Sequence, residues 1–417
     1  MNLQSRTKIA QGRCVDPSET IARLNALIRP RHDYWLHEET VGEHFHWTAM
    51  FIDGLDFRSM GKGVSPQFSL AGALAEGAEW LTAREIGDLP GYLGATERDV
   101  PNALPIRDLV SHVATATPPV VERIQSLDEA WHWVDGESLI TEQKLKVPIE
   151  YVRQISGPNG KATGNFIEEA IVHATNEIFE RRAHVTVLRN RMVVPTIDIE
   201  TIVHPLIRKQ IEFIRAKGIE VTIKDLSFGG VLPCIGAYFR DRNIPSDYQF
   251  HHFFKVGASF DREEALIRTF TEYTQGRRRN EFIDSASPDH EQQLAAMLNH
   301  DFRSLRAQDE DCDNFMSAFM FGFVPYRKAG FLLEGEVVPF ERGPQYTDCL
   351  QDIAHAREIC ETLGKDYIVV DLTDPAIGFP VAQVIIPGYS DVLPYHPASS
   401  DALFRRWTRS DVLHSYT

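Results

Sequence analysis

Two pairs of glutamates share a spacing that could do chemistry. Glu76 and Glu79 lie three residues apart, as do Glu177 and Glu180, and 101 residues separate the corresponding members. Gly63 and Gly164 each precede the first glutamate of a pair by 13 residues. Residues three apart share one face of a helix, so each pair would aim two carboxylates the same way. Like charges that close repel, and a solvated acidic face is the ordinary outcome for a single pair. Repetition argues for a site instead. A further 95 residues on, the stretch 263–277 echoes 168–182, with Glu272 matching Glu177, Gln275 matching Glu180 and Arg277 matching Arg182. Clustered carboxylates suit Mg²⁺, which takes carboxylate and water oxygens and usually keeps phosphate oxygens as its remaining ligands. Nearby Arg, Lys and Asn would complete a triphosphate site. A carboxylate acid/base pair of the glycosidase kind is the other chemistry such residues serve.

The elements that position these residues follow from pattern. Gly160 and Gly164 make a Gly-rich loop, Asn165 stands as a helix N-cap, and Ile167, Ile171, Ala174 and Ile178 recur at helical spacing to an end near Val187. Helices are expected near 66–84 and 261–279 for the other two acidic stretches. Met60 to Gly63 reads as a Gly-rich turn and lacks the order of a Walker A loop. Further helices are expected from about 17, opened by Asp16-Pro17-Ser18-Glu19, and near 105–114, 117–126, 205–217, 289–299 and 347–363. Two strands are expected within 34–58. His44 and His46 alternate onto one face there and read as surface or substrate-facing histidines, because no third metal ligand stands at a telling distance. Residues 139–152 read as strands with a turn. IEVTIKDLS, VLPCIGAYFRD, DYIVVDLT and FPVAQVIIPG read as apolar strands.

Composition narrows the class. A chain of 417 residues with 43% hydrophobic and 24% charged residues can bury large cores and by length alone suggests two or three domains. A net charge of −16 argues against nucleic acid as the main partner. Five scattered cysteines form no CxxC and no zinc spacing, which suits free thiols in a reducing compartment. With no secretory h-region and no membrane-length apolar run, a cytoplasmic location is expected.

Asn159-Gly160 through Gly164-Asn165, Glu168-Glu169-Ala170 and Asn176 to Arg181 resemble the SNGxAAGN…EEA…ExxER signature of YcaO-domain proteins. Gly61-Lys62-Gly63 with Glu76 and Glu79 resembles the family's GKG…ExxER element, and Gly257-Ala258 through Glu272 and Arg277 its GAG…EALLRALTEAAQSR element. Tyr367 to Thr373, Pro375, Ile377-Gly378, Pro380-Val381 and Ile386 to Gly388 resemble its C-terminal strand pair. The resemblance spans roughly residues 10–390. It implies an α/β (α+β) fold: one YcaO-type domain over 1–390, built of mixed sheets with three related acidic helices. Residues 85–155 would form an intervening lobe and 391–417 a tail. It implies ATP and Mg²⁺, used to phosphorylate an amide oxygen, usually of a peptide backbone, before a nucleophile displaces phosphate. By matched position, Glu76, Glu79, Glu177 and Glu180 would hold Mg²⁺. Asn165, Glu169 and Arg181 would help bind nucleotide and metal, and Arg13 and Thr20 would touch phosphate, with Arg277 a further phosphate ligand. The resemblance assigns no catalytic base.

Departures set the finer expectation. Pro158 stands for the Ser of SNG, Trp80 for the Arg after the first ExxE, and Lys161 and Thr163 for small or apolar residues. Pro394 and Pro397 do not make the PxPxP ending of azoline-forming members, and no fused leader-peptide-binding domain is visible. Sulfur insertion to a thioamide, with a separate TfuA-type sulfur-delivery partner, is therefore the expected activity. An azoline-forming cyclodehydratase and a non-catalytic or accessory subunit are the alternatives. The substrate would be a peptide or small amide, and the resemblance also suggests a homodimer.

Overall fold

The structure is a computed structural model that describes residues 1–55, 58–82, 93–110, 122, 130–244, 251–275, 292, 322, 324 and 329–390. In chain order its helices and strands are α1 (Pro17–Ile28), β1 (Tyr34–Thr40), β2 (His46–Ile52), β3 (Arg58–Gly63), α2 (Pro66–Thr82), β4 (Leu93–Ala95), α3 (Ile106–Val110), β5 (Trp131–Ser138), β6 (Lys144–Pro148), α4 (Ile149–Ser156), β7 (Lys161–Thr163) and α5 (Ile167–Asn190). There follow β8 (Thr196–Ile197), α6 (Pro205–Ala216), β9 (Ile219–Asp225), β10 (Cys234–Asp241), β11 (His252–Ala258), α7 (Arg262–Thr274), β12 (Val337–Val338), α8 (Cys349–Thr362), β13 (Ile368–Asp371) and β14 (Val381–Ile385). The chain divides into two compact units.

The first unit comprises Met1–Thr7, Glu79–Ile178 and Asp348–Thr417, of which 391–417 lie outside the described residues. Its sheet runs β4-β5-β13-β14-β7, with β6 paired to β5, and every pairing is antiparallel. β14 is buried at all five positions, which is why it reads as an apolar run without alternation. Trp131, Trp133, Tyr151, Val152, Ile368 and Val381 belong to one core cluster, and α4 supplies part of it. The last four residues of the stretch expected as strands, 149–152, thus begin the helix Ile149–Ser156 instead, because Tyr151 and Val152 pack on the sheet rather than join it. α8 opens with a capping box in which the Asp348 side chain accepts from Leu350 N–H and Gln351 returns a bond to the Asp348 N–H.

The second unit comprises Lys8–Ala78 and Phe179–Thr347. It holds an antiparallel sheet β1-β2-β3 and a mixed sheet β11-β10-β9-β8-β12 in which only β8 and β12 run parallel. Its core cluster includes Ile207, Ile211 and Ile214 of α6, Ile223 and Phe239 of the sheet, and Leu266, Phe270 and Tyr273 of α7. Asp16 caps α1, with Pro17 at its first turn, and Asp261 caps α7 by accepting from Glu263 and Glu264 N–H.

Met60 to Gly63 proves to be the end of strand β3, paired with β2, and not a free turn. His44 lies outside the strands, so the two histidines do not share a strand face. His46 is buried, its ring nitrogens held by Thr40 Oγ1 at 2.9 Å and Glu43 O at 3.2 Å. The helices expected near 117–126 and 289–299 fall almost wholly outside the described residues. The helices near 105–114 and 261–279 are described over Ile106–Val110 and Arg262–Thr274.

Burial also fixes a pH response in the second unit. The His252 ring meets the Tyr238 hydroxyl, and burial, reinforced by His251 and Arg240, holds its pKa down to about 4. The unfolded chain then binds a proton that the folded one refuses between about pH 6.5 and 4. The sign follows: this stability is fully present above pH 6.5 and is lost as pH falls toward 4. After allowance for partial solvent screening the loss is expected to be about 1–2 kcal/mol. Urea melts at pH 7 and pH 4.5 should show this loss in wild type and a smaller one in His252→Asn; equal losses would remove His252 as the cause.

Candidate functional site

The acidic helices owe their positions to close strand contacts. A Cβ on Gly61 would lie 2.0 Å from Ser69 O and 2.2 Å from Ala73 N, and one on Gly257 would lie 2.4 Å from Ala265 O. Both strands therefore admit the backbone of the helix that follows them, and only glycine permits that distance. The same offsets of 101 and 95 residues relate Gly61, Ala162 and Gly257, so each acidic helix follows a strand with a minimal residue at the matched place.

α5 is buried nearly all round. Glu168 and Glu169 are 1% exposed, and Ile171, Ala174, Ile178 and Phe179 are 0% exposed. Its first turn is thus not a solvated acidic face, while Glu177 and Glu180 further along are partly exposed. The helix begins at Ile167, and Ala170 N–H already bonds Phe166 O, so Phe166 and not Asn165 occupies the cap position. Buried Asn165 instead donates from Nδ2 to Glu169 Oε1 at 3.4 Å. Glu168 accepts from Gln4 N–H at 2.7 Å and from Arg6 Nε at 3.2 Å, which ties the N-terminal arm to this helix.

In the first unit, Glu79 and Glu177 act on one lysine. The Lys161 ammonium lies 3.6 Å from Glu79 Oε1 and 4.9 Å from the centre of the Trp80 ring, and the Glu177 charge also acts on it. Its side chain is only 7% exposed. Burial pulls its pKa down, Glu79 opposes that fall, and Arg153 adds to it. β7 places Lys161 by pairing with β14 at Gln383, whose side chain donates to Asn159 O. Asn159 in turn donates from Nδ2 to Ser390 O at 2.7 Å.

In the second unit, Glu76 and Glu180 act on another. Lys62 pairs with Glu272 of α7, and the charges of Glu180 and Glu76 also reach it. Burial, aided by Arg268 and Lys255, brings its pKa down to about 7 against the pull of the glutamates. Glu76 accepts from Met60 N–H at 2.8 Å, and Gln275 donates from Nε2 to Met60 O at 3.2 Å. The end of β3 is therefore held by Glu76 of α2 and by Gln275, the residue that caps α7. Lys255 of β11, brought down to about 8 by burial, faces Glu180 and Arg181. Thr20 is buried in α1 and donates to Asp16 O, while Arg13 exchanges backbone bonds with Ala10. Arg277 lies outside the described residues.

Among the described residues no group of three or more His, Cys, Asp or Glu forms a metal cage. Two carboxylates per site is nonetheless the donor set Mg²⁺ commonly takes from protein when phosphates supply the rest. The four glutamates fit that use. Cys14, Cys234, Cys349 and Cys360 are free thiols, and burial raises Cys360 to about 12 and Cys234 well above the ordinary thiol value, so neither is a nucleophile at neutral pH. No described helix is long and apolar enough to cross a membrane.

The sequence places Lys62 in a Gly-rich turn and shows Lys161 only as a departure from the family pattern, with no role assigned to either. The available signal was a lone lysine among small residues in a segment of strand length, KATG in one case and MGKG in the other.

A mixed α/β architecture with repeated strand-to-acidic-helix steps defines the class. Residues 60–390 match the family described as YcaO cyclodehydratase, ATP- and Mg²⁺-binding, and the chain belongs to that family. It is 30% identical over 137 residues to the ribosomal protein S12 methylthiotransferase accessory factor YcaO of Escherichia coli, a stretch covering 32% of this chain and 22% of that protein. Its fold resembles a heterocyclase in complex with substrate and cofactor, with a TM-score of 0.70 and 19% identity, covering 93% of this chain and 54% of that one. It also resembles YcaO from Methanopyrus kandleri bound with AMPPCP and Mg²⁺, with a TM-score of 0.61 and 18% identity, covering 95% of this chain and 100% of that one. This chain thus spans about a fifth of the Escherichia coli factor and about half of the heterocyclase.

Proposed function

We propose that this chain is an ATP- and Mg²⁺-dependent enzyme that activates an amide, within a peptide or a small molecule, by phosphorylating its oxygen. The observation that carries this reading is the gathering of matched carboxylates around two lysines, Glu79 and Glu177 on the buried Lys161 and Glu76 and Glu180 on the partly exposed Lys62. Mg-ATP, when bound, supplies the phosphoryl group that turns the amide oxygen into a leaving group and the amide carbon into an electrophile. Glu79 and Glu177 in the first unit, and Glu76 and Glu180 in the second, would each hold Mg²⁺, and Lys62 and Lys255 would balance phosphate charge. Arg13, Thr20, Asn165, Glu169 and Arg181 orient the nucleotide. Fixed charges in a water-poor site stabilise the transition state more than mobile ones in water. Residues 1–390 act as one catalytic domain.

Sulfur insertion, giving a thioamide, is the proposed second half-reaction. The Escherichia coli relative's name, which refers to a methylthiotransferase, supports sulfur chemistry. A TfuA-type partner would deliver the sulfur, and a homodimer would be the working assembly. Ring closure to an azoline is the second reading, favoured by the family's description as cyclodehydratases. The test is ATP turnover against a panel of Cys- and Ser-containing peptides and small amides, with and without added sulfide, followed by mass spectrometry of the product. Exchange of oxygen for sulfur, about +16 Da, supports thioamide formation. Loss of water without sulfide, about −18 Da, supports the azoline. Absence of nucleotide binding in the folded chain would favour an accessory subunit.

A further inference from the structure

One buried cation in the first unit does not serve the fold in an obvious way. Lys161 sits on a three-residue strand, and its ammonium is almost fully buried. A buried ammonium is costly unless paired. The groups around it are Glu79 at 3.6 Å, the Glu177 charge, the Trp80 ring face at 4.9 Å and the Arg153 charge. Glu79 and Trp80 come from α2, Glu177 from α5 and Arg153 from α4, so three helices converge on this one side chain. A cation flanked by two carboxylates and capped by an indole face is a cation site already filled from within the chain.

Lys62 offers a comparison. It is not at the equivalent place, because Thr163 and not Lys161 lies 101 residues after it. Lys62 has a further carboxylate, Glu272, as its ion-pair partner. Lys161 instead has Glu79 itself as its partner. The two halves of the repeat therefore differ in how they would receive a metal.

We infer that the Lys161 ammonium is a resident counter-ion for the Glu79–Glu177 carboxylate pair, so that this pair takes up no divalent cation while the protein is free of nucleotide. The inference rests on the proposed metal role of these glutamates. It means that a metal at Glu79 enters only together with nucleotide, whose phosphates offer the lysine another anion. Metal binding would then be ordered, and free Mg²⁺ could not hold this half of the site on its own.

The probe is Mn²⁺ alone, counted by electron paramagnetic resonance and equilibrium dialysis on the full chain without nucleotide. Lys161→Met and Lys161→Gln remove the charge and keep much of the side-chain length. Each is expected to bind one Mn²⁺ per chain more than wild type, with affinity at that site raised on the order of 100-fold by removal of an adjacent positive charge. Adding Glu79→Gln should abolish the extra ion. Equal counts in wild type and a folded Lys161 variant would overturn the inference. So would a wild-type Mn²⁺ that Glu79→Gln removes, a measurement independent of whether the lysine variants fold. Mg-ATP binding by wild type is measured separately. An extra ion without any ATP binding would keep the counter-ion and discard the nucleotide reading, and ATP binding without the extra ion would do the reverse.

Discussion

Glu177→Gln is expected to abolish Mg²⁺-dependent ATP turnover while leaving the chain folded. The substitution keeps the shape of the side chain and removes one charge. Glu177 lies on α5 one turn before Glu180, and its carboxylate acts on the buried Lys161 ammonium together with Glu79. A neutral amide is a poor ligand for a hard cation and no counter-charge for a lysine. Loss of one fixed ligand in a phosphoryl-transfer site is worth several kcal/mol of transition-state stabilisation, so turnover should fall about 1,000-fold or more. Stability should change far less, because Lys161 retains Glu79 at 3.6 Å. The check is a phosphate-release assay with a competent amide substrate, paired with a thermal melt. Turnover within tenfold of wild type, in a folded variant, would remove Glu177 from the metal site and the proposed activity with it.

Gly61→Ala is expected to give the largest loss of stability from a single methyl group. Its added carbon would stand 2.0 Å from Ser69 O and 2.2 Å from Ala73 N, both backbone atoms of α2. A flexible side chain could turn away from such a contact, but a helix backbone cannot. The helix must move by more than about 1 Å to restore ordinary contact distances. Overpacking of this kind costs about 3 kcal/mol or more. The shift also carries a functional consequence. Glu76 on α2 accepts the Met60 N–H of the same strand, so displacing the helix displaces a proposed metal ligand. A melt of Gly61→Ala should show a lowered Tm, and nucleotide affinity should fall with it. A variant that melts like wild type would show that strand and helix separate at little cost, and the close approach would lose its meaning for the site.

Part of this molecule is legible in the amino-acid sequence. Asp16-Pro17 announces α1, the repeat announces α7 near 261, and the apolar runs of 366–373 and 379–388 give β13 and β14. These signals are local, since a cap or an apolar run acts within a few residues. The repeat of Gly and glutamate spacing was legible too, because each acidic helix needs the same strand-to-helix step, and the family follows from those motifs in their order.

Other features depend on partners far away along the chain. Residues 60–63 read as a turn until β2 pairs with them, and residues 149–152 read as strand until Tyr151 and Val152 pack on a sheet completed by β13 and β14 more than 200 residues later. Glu168 and Glu169 look solvated by composition, and only the tertiary structure buries them. The roles of Lys62 and Lys161 are tertiary in the same sense. The small residues after Lys161 mark it as unusual in a segment of strand length, but nothing near it in sequence says which charges it meets. The charge of Lys161 acquires meaning only when the fold sets Glu79 and Glu177, from helices nearly 100 residues apart in sequence, against it, because electrostatic work depends on distance and burial in space and not on position along the chain.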